Sequence, residues 1–290
     1  MRISQSLVLI SLVIMSTSCT STYIFTQGSV SPENFYSSIT FTTSKSLIII
    51  PVELNGVQKN FIFDTGAEVT AIQRDTLVGE IISVRGGSNR VIESGSETVN
   101  SIKIGEVDFI NTFATNGNEA YLKENIPNYG GTLGRTVFDK SNWLINYPNK
   151  TIELSNKELA DDSFSDIPLL PSSSTPYTMI EINEIEYRAI IDLGSTSFFN
   201  VPQDTELAKE LLTNYSFTEH TRERYTVGGV QTITELIGIV PILTIGDNIF
   251  EHVIVNINES SQIRLGMNFF TDYLIYIDNL NHKFRIKLPD

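Results

Sequence analysis

Short runs of β-branched and aromatic residues recur at close intervals along the chain, broken by Gly, Asn and Pro. Apolar and polar positions alternate within many of them, which predicts strands and tight turns rather than helices. Helical spacing is sparse. Glu206–Thr213, "ELAKELLT", reads as the best helix, and Arg74–Gly79 as its counterpart. The expected fold class is all-β.

The pattern also occurs twice. "VELNGVQKNFIFDTGAEV" and "IEINEIEYRAIIDLGSTS" each turn at an Asn and climb an apolar run to an Asp. Asn55 matches Asn183 and Asp64 matches Asp192 at one offset of 128 residues (183 − 55 and 192 − 64). Downstream, Gly86-Gly87 is answered by Gly228-Gly229, and "IKIGEVDF" by "LTIGDNIF". Leu133-Gly134 is answered by Leu265-Gly266, each followed by an aromatic-aliphatic strand. The repeats divide the chain into a lobe at 44–155, a polar, turn-rich linker at 156–175 and a second lobe at 176–290.

Composition narrows this picture. The chain has 290 residues, 41% of them hydrophobic and 19% charged, enough for one large or two modest cores. A formal charge of −14 argues against nucleic acid and anionic membrane surfaces as partners. Arg2 and the apolar run Leu7–Met15, too short to span a bilayer, read as a signal peptide at 1–18. Ser16-Thr17-Ser18-Cys19 resembles the lipobox of bacterial lipoproteins, with Ser16 where a Leu is usual. The expectation is export and lipidation at Cys19, anchoring a monomer to the bacterial cell envelope on the periplasmic side of the outer membrane. An unlipidated secretory signal is the alternative. Residues 19–43, rich in Ser and Thr, read as the tether, to which Tyr23-Ile24-Phe25 could add a strand. Cys19 is the only cysteine, so no intramolecular disulfide supports the fold.

The chemistry lies in the two Asp-x-Gly turns. Alone, either is a turn aspartate closing a strand. Packed about a pseudo-twofold axis, they would set Asp64 against Asp192. Two full charges about 3 Å apart at an effective dielectric near 20 repel by about 5 kcal/mol, so the pair would hold one shared proton. One carboxylate can then take a proton from water while the other donates to a carbonyl oxygen. Aspartic peptidases are an established example of such a pair. Gly66 and Gly194 permit the tight turns, and Thr65 can reach across the interface with its hydroxyl. Leu133-Gly134 and Leu265-Gly266 would pack beneath the Asp loops. Gly86, Gly87, Gly228 and Gly229 suit either plain hairpin turns or flaps over a bound peptide. Trp143 reads as core. His220, His252 and His282 lack metal-ligand spacing, and no nucleophile elbow or phosphate loop occurs.

At Asp64-Thr65-Gly66-Ala67, Asp192-Leu193-Gly194-Ser195 and the two Leu-Gly pairs, the chain resembles the retropepsin/pepsin superfamily of aspartic peptidases in a bacterial two-lobed form. The resemblance covers nearly all of 44–290. It implies two β-barrel lobes around a central cleft, hydrolysis of peptide bonds, a peptide or protein substrate, and no metal or cofactor. The family has Thr or Ser after the second Asp, where this chain has Leu193. Leu193 cannot make the cross-interface hydrogen bond, and Ser195 could compensate by bonding Asp192. Leu193 therefore supports an alternative: a catalytically inactive lipoprotein that keeps the peptide-binding cleft. A purely structural envelope lipoprotein is a third reading, which the paired turns oppose.

Overall fold

The computed structural model describes residues 24–85, 91–171, 175–226 and 229–289. Cys19, Gly86, Gly87 and Gly228 lie outside the described residues, as does the expected signal peptide at 1–18. Strand accounts for 56% of the chain and helix for 10%, and the strands close two six-stranded barrels, so the protein is all-β.

Each repeat opens with a hairpin. Leu47–Leu54 pairs with Val57–Phe63, and Tyr177–Ile182 with Ile185–Asp192. Two-residue turns join them. Asn55 and Gly56 have φ of 48° and 83°, and Asn183 and Glu184 have φ of 51° and 66°. Such turns need positive φ at both positions, which Asn tolerates better than most residues; this explains why Asn recurs in the repeat. Later in each repeat a short strand returns parallel to the Asp strand. Tyr129–Leu133 lies beside Val57–Phe63, and Arg264–Gly266 beside Ile185–Asp192.

A third sheet is built from both repeats. Its six strands run in the order 165–167, 283–287, 274–278, 142–146, 151–155, 36–40. At its centre Asn142–Asn146 pairs antiparallel with Leu274–Asp278, and Trp143 faces Ile277. These two strands are equivalent in the repeats, 132 residues apart (274 − 142). Antiparallel pairing of equivalent strands places a pseudo-twofold axis between them, and that axis turns the Asp loops toward each other. Trp143 is fully buried, with its indole centroid 5.3 Å from Phe63 and 5.5 Å from Phe138.

Three local expectations are corrected. Within the expected tether at 19–43, residues 29–43 are not free: Ser29–Ser31, Tyr36–Thr40 and Thr42–Ser44, which runs into the first lobe, each join a sheet. Buried Phe35 and Phe41 fasten this Ser/Thr-rich stretch, so its composition misled. The linker likewise contributes Ser165–Ile167 to the shared sheet, and Ile167 is buried. Arg74–Gly79 is not helical. The Asn116 side chain accepts from the Val78 N–H (2.9 Å) and donates to its carbonyl (3.0 Å), satisfying that loop as a strand partner would. The expected helix at Glu206–Thr213 is present as Glu206–Asn214, with Thr205 Oγ1 accepting the Ala208 N–H at its start.

Candidate active site

Asp64 follows the buried end, Phe61–Phe63, of the strand Val57–Phe63, and Asp192 ends Ile185–Asp192. The local architecture is the same on both sides. The amide of Gly66 donates to Asp64 Oδ1 at 2.8 Å, and that of Gly194 to Asp192 Oδ1 at 3.0 Å. The Leu-Gly pairs sit under these loops. Leu133 and Leu265 are fully buried, the Leu133 carbonyl accepts the Asp64 N–H (3.2 Å), and Met267 N–H donates to the Ser195 carbonyl (2.7 Å).

The loops interlock across the axis. The buried N–H of Leu193 donates to Thr65 Oγ1 at 3.0 Å. The Asp64 and Asp192 carboxyls are in hydrogen-bonding contact, and each lies against the glycine of the opposite turn. Burial pushes the Asp64 carboxyl up to about 8, with the Asp192 charge adding to the rise; the Gly66 amide and Arg264 act in the opposite sense. The pair therefore holds a proton at neutral pH.

The position after Asp192 departs from Thr65. Leu193 is fully buried in the core, so the second loop gives its amide to the grip but no hydroxyl. Ser195 does not fill the gap: its hydroxyl pairs with Ser197 Oγ at 2.9 Å. Thr65→Val would strand the Leu193 N–H and is expected to cost about 1–3 kcal/mol. Differential scanning calorimetry should read this as a Tm loss of about 2–4 °C per kcal/mol.

Both aspartates line a cleft of about 920 Å³. Its first-lobe wall comes from Ser44–Leu47 and the helix Ala120–Asn125. Among the described residues, none of 82–104 lines this space. In the second lobe the hairpin of Phe217–Thr226 with Gly229–Ile245 forms a wall through His220, Arg222 and Glu235. Gly229 pairs with Thr226 where these two strands meet.

Two features of the second-lobe side of the cleft escaped the sequence reading. One is a buried polar network: Asn258 Nδ2 donates to Asn200 Oδ1 (2.7 Å) and Glu235 Oε2 (3.0 Å), and Arg222 Nε donates to Glu235 Oε1 (2.5 Å). The other is Arg264, whose Nε lies 2.9 Å from Asp192 Oδ2. Its N–H points off the line to that oxygen, so the contact is an ion pair rather than an aligned hydrogen bond. Its one signal in the sequence is an Arg directly before a buried Leu-Gly.

No known family model matches the sequence, and no curated protein matches it.

Proposed function

We propose that the protein is an aspartic endopeptidase of the retropepsin/pepsin type, hydrolysing peptide bonds with a water activated between Asp64 and Asp192. The observation that carries this reading is the interlocked pair of Asp-x-Gly loops, which brings residues 128 positions apart into one proton-sharing site (192 − 64). The cleft has room for an extended peptide, whose main chain can pair with strand edges. The leader and Cys19 add a lipid-anchored, exported location to the proposal.

Direct water attack needs one carboxylate and one carboxylic acid. That single-proton state persists until Asp64 ionises, so hydrolysis should fall as pH rises through about 8. A peptide library assayed from pH 3 to 9 tests this. Cleavage is expected at acidic to neutral pH, and Asp64→Ala and Asp192→Ala should each lose about 10²–10⁴-fold or more. Cleavage that survives either substitution would defeat the assignment.

Leu193 favours one competing reading, a cleft that binds peptide without turnover. Fluorescence anisotropy with the same peptides separates the two. Binding by the unaltered protein with no cleavage at any pH would establish the inactive binder.

A further inference from the structure

We propose that Arg264 makes the two aspartates chemically unequal, holding Asp192 as the ionised partner so that the shared proton resides on Asp64. This rests on the hydrolytic reading only for its catalytic consequence. The inequality itself is a property of the folded chain.

The argument starts from broken symmetry. Leu133 and Leu265 are equivalent, so Arg264 stands where the first repeat has Thr132. Both residues sit on the strand that runs parallel to an Asp strand. Thr132 Oγ1 lies 3.0 Å from the hydroxyl of Tyr129, which is itself bonded to Glu119. The Asp64 side thus carries the buried hydroxyls of Thr132 and Tyr129 and the half-buried carboxyl of Glu119. On the Asp192 side a guanidinium, only 20% exposed, lies 2.9 Å from a carboxylate oxygen that belongs to a side chain 13% exposed. Arginine stays charged at any pH a protein survives. A cation in contact lowers the proton affinity of a carboxyl by about 1–3 pH units.

Other charges do not reverse this bias. Tyr129 and Glu119 sit on the Asp64 side, and an ionised carboxyl there would favour protonation of Asp64. Lys45, His220 and Glu223 line more of the cleft, and Arg222 and Glu235 are paired with each other.

The inequality assigns the roles in hydrolysis. Asp192 takes a proton from water while the water oxygen bonds to the carbonyl carbon. The carbonyl π pair moves to its oxygen, which takes the proton of Asp64. On collapse the C–N bond breaks, the nitrogen leaves with the proton held by Asp192, and Asp64 regains its own. Arg264 contacts the Asp192 carboxylate and no substrate atom; it acts on hydrolysis through Asp192, as a positioning residue.

Carboxyl-¹³C NMR of aspartate-labelled full-length protein tests this without turnover, with Asp64→Asn and Asp192→Asn assigning the two signals. At pH 6 the unaltered protein should show Asp64 as acid and Asp192 as carboxylate. In Arg264→Met the pair should take up its second proton about 1–3 pH units higher, and Arg264→Lys should restore most of the difference. A proton found on Asp192 in the unaltered protein would overturn the proposal, as would an unchanged titration in Arg264→Met. If Arg264→Met does not fold, the proton's place in the unaltered protein and the Arg264→Lys titration still decide. A chain with the stated inequality that cleaves no peptide would defeat the hydrolytic reading alone. A chain that cleaves with one pH profile in Arg264→Met and the unaltered protein would defeat this proposal alone.

Discussion

Asp64→Asn is expected to make the protein more stable at pH 8 while leaving its stability at pH 4 nearly unchanged. In the folded protein Asp64 holds its proton up to about 8, whereas an unfolded chain releases it near 3.9. Between those values the native state binds more protons than the unfolded state, so stability falls as pH rises. The contribution of the protonated carboxyl is complete below about pH 4 and is lost as pH climbs through about 8. Asparagine is neutral throughout and escapes this loss. Four pH units at about 1.4 kcal/mol each set a ceiling near 6 kcal/mol, and a gain of about 2–5 kcal/mol is expected at pH 8. Chemical denaturation of both proteins from pH 4 to 9 measures it directly. A stability difference that stays flat across that range would mean Asp64 does not carry the proton. Peptide hydrolysis should be lost in the same variant at every pH, so stability and activity are expected to move in opposite directions.

The second large effect is expected at Gly194. A Cβ placed there would lie 2.0 Å from Asp64 Cγ and 2.1 Å from Asp64 Oδ1. Asp64 cannot simply swing aside, because its Oδ1 accepts the Gly66 amide and its carboxyl meets Asp192. One loop has to move. Misplacing a catalytic group by about 1 Å can cost about 10²-fold in rate, and overpacking a buried site about 1–3 kcal/mol. Gly194→Ala should therefore lose at least about 10²-fold in kcat/KM and several degrees in Tm. Gly66→Ala, whose Cβ would come within 2.6 Å of Asp192 Oδ1, should show a smaller version of both losses. Gly117→Ala is the control, since its nearest neighbour would be 3.9 Å away, and it should change neither reading much. Wild-type kinetics in Gly194→Ala would show that the two loops are not coupled as their packing implies.

Much of the architecture is legible in the residues alone. Alternation and turn residues report local geometry, because side-chain period and positive φ act over only a few positions. That is why both hairpins, their Asn turns, the helix that begins at Glu206 and the duplicated Asp-x-Gly segments were readable in order. Thr65 was readable as a bridging hydroxyl because its place after Asp64 implies the facing turn. Residues 29–43 and Arg74–Gly79 were misread because both depend on distant partners. Phe35 and Phe41 find cores built from other strands, and Asn116 satisfies the Val78 backbone from another strand, 38 residues away.

The chain by itself therefore determines two β repeats and two strand-end aspartates, since each is written in local spacing. Only the tertiary structure decides what surrounds those aspartates. Arg264 reaches Asp192 because a strand 72 residues later (264 − 192) returns parallel beside it. Ser195, three positions from Asp192, turns to Ser197 instead. The electrostatics of a site depend on distance through space, and the sequence records distance only along the chain.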